Sequence, residues 1–457
     1  MKIPRVIAVL LLAFSVSRAD TNMPLISMAD QSTLATADQG AGAAIARETP
    51  AASQQQIVNY DESKVAPYRL PELLVTKTGK RVLTAEAWTS ERRPEVLALF
   101  EQHVFGKTPA SWGKVAFETK QVKKDALGGR ATRKIIHISL PDHPAWQGMD
   151  VLVYTPNGLR NPAPCFVGAN FAGNHAVTTE RDVPLSTRWM SGDISVNNKA
   201  TEACRGISSH SWPLEMILAQ GFGLATFYYG DVEPDYPDGW KQGLRAALSN
   251  DGPNTEWKEG DWGAIGAWAW GLSRIADYLE TDPDVDAKRL AVIGHSRLGK
   301  TALWAGAQDQ RFGVVISNDS GEGGAAIMRR NFGETTALIT KAFPYWFTKT
   351  YTRYSNNEAA CPIDAHMLIA LAAPRSIYIA SAVEDAWADP KGEFLSGLNA
   401  EPIYALFGKT GYGVTEQPPI NTPVGNSIAY HVRTGKHGVT TYDWQQYLRF
   451  AKRCFGN

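Results

Sequence analysis

The chain has 457 residues, is 44% hydrophobic, and sets 46 Lys and Arg against 46 Asp and Glu for a formal net charge of +0. That size buries a large core, as one big domain or two ordinary ones. Balanced charge with no Lys/Arg block gives no ground for a nucleic-acid partner or an anionic membrane surface.

Residues 1–19 read as a secretory signal peptide. Met1-Lys2-Ile3-Pro4-Arg5 is a short basic start, Val6 to Val16 is an apolar stretch too short to span a bilayer, and Ser17-Arg18-Ala19 offers small residues for cleavage. No other stretch is long and apolar enough for a membrane span, so a secreted or periplasmic protein is expected. Residues 20–66, rich in Ala, Thr, Ser and Gln, read as a flexible leader. Order is expected from Pro67-Tyr68-Arg69-Leu70-Pro71, with residues 67–457 as a single domain. Export makes Cys165, Cys204, Cys361 and Cys454 candidates for disulfides. Their spacing has no metal-ligand pattern, and Cys165, in a strand-like run, equally suits a buried thiol.

Ser90 to His103 predicts a first helix. Strand-like runs at Val115–Thr119, Lys134–Ile138 and Asp150–Tyr154, close together and punctuated by Gly and Pro, predict an antiparallel edge. Beyond them strands alternate with helices. Strands are expected at Cys165–Ala169, Gly223–Tyr229, Leu290–Gly294, Gly313–Ser317, Ser376–Ala380 and Ile428–Val432, and helices near Trp212–Ala219, over Ala264–Leu279, after Ser296 and at the carboxyl end. This alternation predicts an α/β fold, a mostly parallel sheet flanked by helices and carrying long insertions.

Leu290-Ala291-Val292-Ile293-Gly294-His295-Ser296-Arg297-Leu298-Gly299-Lys300 carries the chemistry. A β-branched run passes through a glycine-bracketed serine into an Ala- and Leu-rich helix. A serine at such a turn is exposed over the helix amino end, where unpaired N–H groups favour developing negative charge. That is what an acyl-transfer nucleophile needs. In the usual nucleophile elbow, glycine follows the serine by two residues; here Leu298 takes that place and glycine comes at 299.

In an open parallel sheet the site forms beyond the carboxyl ends of the strands. There lie Asn318-Asp319-Ser320-Gly321-Glu322-Gly323-Gly324, then Glu384-Asp385-Ala386-Trp387-Ala388-Asp389-Pro390, then Arg433-Thr434-Gly435-Lys436-His437-Gly438. The order serine, acid, histidine is that of a serine hydrolase on this fold. His437, in a glycine-bracketed loop, is the best general base. His431 reads as structural, and strand alternation turns the His295 side chain away from the serine, into packing. Spacing leaves the orienting acid open between Asp319 and Asp385, while Glu322 and Asp389 read as a solvated loop charge and a turn residue. Asn170-Phe171-Ala172-Gly173-Asn174-His175 occupies a loop where this fold often places a second oxyanion donor.

Gly294-His295-Ser296-Arg297-Leu298-Gly299-Lys300, Asn318 to Gly324, Trp387 in its acidic loop, and His437 together resemble the glucuronoyl esterases, carbohydrate esterase family 15, particularly the bacterial branch. The resemblance covers most of the chain after about residue 70 and implies the α/β-hydrolase fold. It implies an enzyme that cleaves the ester between glucuronic or 4-O-methylglucuronic acid of xylan and lignin alcohols, with no cofactor or metal. Ser296 would be the nucleophile, His437 the base, Arg297 an oxyanion contact, and Lys300, Glu334 and Trp387 sugar contacts. The insertion from Arg329 to Tyr354 would wall the cleft. Two departures matter: fungal members carry a disulfide-bonded cysteine where this chain has His295, and the family's usual glutamate after the sixth strand is here the shorter Asp319. The latter shifts weight toward Asp385, a position that some bacterial members use. Two other functions remain open, an acetyl xylan esterase and a non-catalytic protein binding uronic-acid polysaccharide; a monomer is expected in each case.

Overall fold

The computed structural model describes residues 58–456. The expected signal peptide and the leader up to residue 57 lie outside them. Ten strands, β1 (Ala116–Asp125), β2 (Ala131–Ser139), β3 (Met149–Pro156), β4 (Ala163–Asn170), β5 (Gly223–Tyr228), β6 (Val285–His295), β7 (Phe312–Asn318), β8 (Ser376–Ala382), β9 (Val424–Gly425) and β10 (Ile428–Arg433), form one sheet in the order β1-β2-β3-β5-β4-β6-β7-β8-β10-β9. From β1 to β5 the pairing is antiparallel, from β5 to β10 it is parallel, and β9 closes the edge antiparallel. Both expected halves of the sheet are present. Every residue of β4, β5 and β10 is buried, as expected of parallel strands covered on both faces.

Helices cover the two faces: α1 (Arg93–Phe100), α2 (Leu214–Ala219), α3 (Ala264–Leu279), α4 (Arg297–Gln308), α5 (Thr336–Ala342), α6 (Pro390–Leu406) and α7 (Thr441–Phe455). Successive strand side chains enter opposite layers. Along β6, Leu290 and Val292 join a core with Trp268 and Trp304, whereas Ala291 and Ile293 join one with Trp444 and Phe450. Helix α3 spans its predicted residues. The first helical run covers all its predicted residues, as α1 with π turns at Trp88–Arg92 and Glu101–Phe105 flanking it. Pro94 cannot donate, and the Arg93 N–H reaches back to the Trp88 carbonyl across the wider turn. A capping box of Thr440 and Asp443 starts α7.

Two expectations are corrected. The leader is seated before residue 67: Glu62 pairs with Arg330 at 2.7 Å and Lys391 at 2.8 Å, and the Asn59 carbonyl accepts the Gly333 N–H at 2.9 Å. Ion pairs and a backbone contact, which composition does not reveal, hold a segment that has little to bury. None of the four cysteines forms a disulfide; Cys165, Cys204 and Cys361 are buried and Cys454 partly so. As free thiols they pack as small apolar groups. No helix among the described residues is long and apolar enough to cross a membrane.

The register aligns the strand ends that matter. His295 of β6 pairs with Asn318 of β7, Asn318 with Ala380 of β8, and Arg433 of β10 with Ala382. The loops after β6, β7, β8 and β10 therefore leave the same edge of the sheet, side by side.

Candidate active site

At the end of β6 the backbone turns sharply. Ser296 takes φ 56° and ψ −131°, and α4 begins at the next residue. A non-glycine residue held there costs about 1–3 kcal/mol and persists only where its surroundings over-determine it. Here they do: the Ser296 N–H donates to the Asn318 carbonyl at 2.9 Å, and its carbonyl accepts from Gly299 at 2.8 Å and Lys300 at 3.1 Å. The displaced glycine has a packing reason. A Cβ on Gly294 would meet the Leu298 carbonyl oxygen at 1.8 Å, while one on Gly299 would meet the Ser320 Cβ at 3.0 Å. Leu298 is buried in the core below, so the close approach to the next strand's loop falls one residue later.

His437 projects from the loop after β10, and its Nδ1 hydrogen-bonds Asp385 Oδ2 at 2.6 Å. Its ring centroid lies 4.3 Å from that of His295, the residue before Ser296. Asp319 takes a different place. Its Oδ2 accepts the Gly438 N–H at 3.4 Å and stands 3.6 Å from Arg433, and its Oδ1 has no partner among the described residues. Burial above all, then the neighbouring Asp385 carboxylate, pushes the Asp319 carboxyl well above the usual range. Asp319, Asp385 and His437 offer ligand atoms within 4.8 Å of one another. This donor set suits a cation as well as a proton relay, and the short Nδ1 contact is the hydrogen bond a relay requires.

Three side-chain readings change. His295 does not turn away from the chemistry. Alternation places it with Ala291 and Ile293 on the α7 face, as expected, but the loop leading into α7 carries His437 across that face. Its Nδ1 pairs with Asn318 Oδ1 at 2.7 Å, and burial, reinforced by His437, keeps its pKa well below the ordinary histidine value. Glu322 is not a solvated charge; it is buried, and its Oε1 accepts from Tyr351 at 2.6 Å and Thr336 at 2.7 Å. Asp389, read as a turn residue, both caps α6 through the Gly392 N–H and pairs with Arg330 at 2.7 Å.

Burial outweighs those two donors and pushes the Glu322 carboxyl from 4.5 to about 8. The folded state therefore holds a proton that the unfolded chain releases above about 4.5. Its stabilising effect is full below that pH and is lost as pH rises through about 8, by up to about 1.4 kcal/mol per unit. Glu322→Gln removes this dependence. The melting temperature of the variant should fall less between pH 5 and pH 8 than that of the parent; parallel falls would contradict the burial argument.

The expected sugar contacts line the insertion after β7. Lys300 is only 4% exposed, with Nζ 3.9 Å from Glu334 and 5.9 Å from the Trp346 ring centroid. Burial lowers the Lys300 pKa and raises that of Glu334, each partly offset by the other. The Glu334 N–H donates to the Trp387 carbonyl at 2.9 Å, tying the insertion to the loop after β8, and the Trp387 ring is half-buried rather than part of either core. Arg297 donates through Nη1 to Asp235 Oδ2 at 2.7 Å, with Trp346 4.8 Å and Phe171 5.5 Å from its guanidinium carbon. Its Nε is buried without a partner among the described residues.

Two further residues had no sequence signal. Arg433 is anchored by Asp443 at 2.8 Å and donates to the carbonyls of Thr434 at 3.0 Å and Lys436 at 3.1 Å, bracing the loop that carries His437. Asp443 also accepts from His431 Nε2 at 2.9 Å, which makes His431 structural. Nothing local marks Arg433 or Asp443: one ends a strand and the other sits in a capping box.

Comparison with known proteins gives the same direction. A sequence profile described as "Glucuronyl esterase, fungi" matches residues 256–408. Carbohydrate esterase MZ0003, from an unknown prokaryotic organism, is 44% identical over 402 residues, 87% of this chain and 92% of that protein. The solved glucuronoyl esterase from Solibacter usitatus is 50% identical with a TM-score of 0.82, covering 86% of this chain and 100% of its own. 4-O-methyl-glucuronoyl methylesterase 1 of Phanerochaete chrysosporium is 35% identical over 259 residues, 51% of this chain and 53% of that protein. Fold and likeness define the class, a carboxylic ester hydrolase on the α/β-hydrolase fold. The chain belongs to the glucuronoyl esterases, carbohydrate esterase family 15, whose reaction is the hydrolysis of glucuronate esters.

Proposed function

We propose that this chain is exported and, as a monomer without cofactor or metal, cleaves the ester joining (4-O-methyl-)glucuronic acid of glucuronoxylan to lignin alcohols through an acyl-enzyme. Its single catalytic domain begins ahead of residue 67, with the segment held through Asn59 and Glu62. One observation carries the assignment of roles: the 2.6 Å pair of His437 and Asp385 beside the turn where Ser296 is held at φ 56°. His437 takes the Ser296 hydroxyl proton as Oγ bonds to the ester carbonyl carbon. The resulting oxyanion faces Arg297, whose permanent charge supplements the backbone N–H groups at the start of α4. Collapse breaks the bond to the alcohol oxygen, which leaves with the proton from His437. Water then adds to the acyl carbon under the same base, and release of the uronate restores Ser296. Asp385 holds the imidazole tautomer and balances the imidazolium. The Lys300–Glu334 pair and the Trp387 face hold sugar hydroxyls and ring. Export follows from the basic, apolar and small-residue order of residues 1–19.

The substrate test compares a benzyl glucuronate ester with acetylated xylan. An acetyl group offers the buried Lys300–Glu334 pair none of the sugar hydroxyls it would hold, so kcat/KM should favour the glucuronate ester by at least about 100-fold. Preference for acetylated xylan would make this an acetyl esterase. Tight saccharide binding in calorimetry without turnover of either ester would make it a binding protein.

A further inference from the structure

The Arg297 guanidinium is held by a buried carboxylate. Asp235 lies in the loop after β5, six residues beyond Tyr229, and is only 5% exposed. Its Oδ2 accepts from Arg297 Nη1 at 2.7 Å and from the Tyr229 hydroxyl at 3.0 Å. Its Oδ1 accepts from the Trp346 indole N–H at 2.7 Å and the Tyr345 hydroxyl at 2.9 Å. Four donors fill the lone-pair sites of one carboxylate, so none remains for a substrate. The loop is itself anchored, because the preceding Glu233 forms a buried pair with Arg245 at 2.6 Å and its carbonyl accepts the Trp268 indole N–H at 2.9 Å.

Only one of the five guanidinium N–H donors is used on Asp235, and Arg297 Nε is buried and unpartnered among the described residues. Trp346, which donates to Asp235, also lies against the guanidinium. The carboxylate thus fixes the edge of the guanidinium and the aromatic ring fixes its face, while Nε stays directed and unpartnered among the described residues. A long arginine side chain without such support must lose its rotamer freedom during the reaction.

We infer that Asp235 is a positioning residue for the transition state: it aims Arg297 at the developing oxyanion, and acts on the reaction only through that arginine. The inference rests on the oxyanion reading of Arg297 given above. A double-mutant cycle on a benzyl glucuronate ester separates the two. Arg297→Ala should lower kcat by about 100-fold or more. Asp235→Asn should lower kcat by about tenfold or more with KM changed less than about threefold, and in the Arg297→Ala background it should cost almost nothing more. Multiplicative losses in the cycle, or an Asp235→Asn kcat equal to that of the parent, would overturn the inference. Parent-like kcat in Arg297→Ala would instead overturn the oxyanion reading itself. If Asp235→Asn alone does not fold, the double variant, which no longer buries an unpaired guanidinium, carries the comparison with Arg297→Ala.

Discussion

Ser296→Ala is expected to lower kcat on a benzyl glucuronate ester by roughly 10⁶-fold, the order seen when a serine hydrolase loses its nucleophile. The residual rate would come from binding and oxyanion contacts alone. The substitution removes one oxygen from a half-buried position, so the fold should stand and calorimetry with glucuronate should give parent-like affinity. The elbow strain at φ 56° persists in the variant, because the Asn318 carbonyl and the Gly299 and Lys300 N–H groups still hold the backbone. Turnover within about tenfold of the parent would remove Ser296 from the reaction and with it the acyl-enzyme.

The two acids divide more sharply. Asp385→Asn keeps the shape but turns an acceptor toward a donor at His437 Nδ1, which favours the wrong tautomer and should cost about 10⁴-fold in kcat. Asp319→Asn should cost less than about tenfold. Burial and the adjacent Asp385 carboxylate push the Asp319 carboxyl well above its usual range, and its Oδ2 accepts the Gly438 N–H rather than a proton from His437, so the neutral amide leaves the contact that orients the histidine in place. Equal losses would mean that the histidine is oriented by the pair, and a larger loss at Asp319 would reverse the assignment. Kinetics of both variants at one pH, with melting temperatures alongside, decide between these outcomes.

Much of the site was legible in the residues. The serine between glycines, the acids beyond β7 and β8 and the histidine beyond β10 all occupy the strand ends that topology selects. The position of the second elbow glycine was visible as an anomaly, and its cause is the contact of Gly299 with Ser320 from the next loop. Glu322 read as a solvated charge because its local sequence does not say which groups a neighbouring insertion covers: the residues that bury it, Thr336 and Tyr351, come from later in the insertion.

What the sequence alone determined is the layered sheet, the strand ends and the chemistry gathered along them, since strand period, helix period and turn residues are local properties written in a few neighbouring positions. The tertiary structure alone decided which acid meets His437, where the His295 ring points and which carboxylate holds Arg297. Asp385 and His437 are 52 residues apart, and Asp235 and Arg297 are 62 apart. Such meetings depend on how loops from separate strands lie over one sheet edge, and a shift of a few ångströms, invisible in any local pattern, changes which donor finds which acceptor.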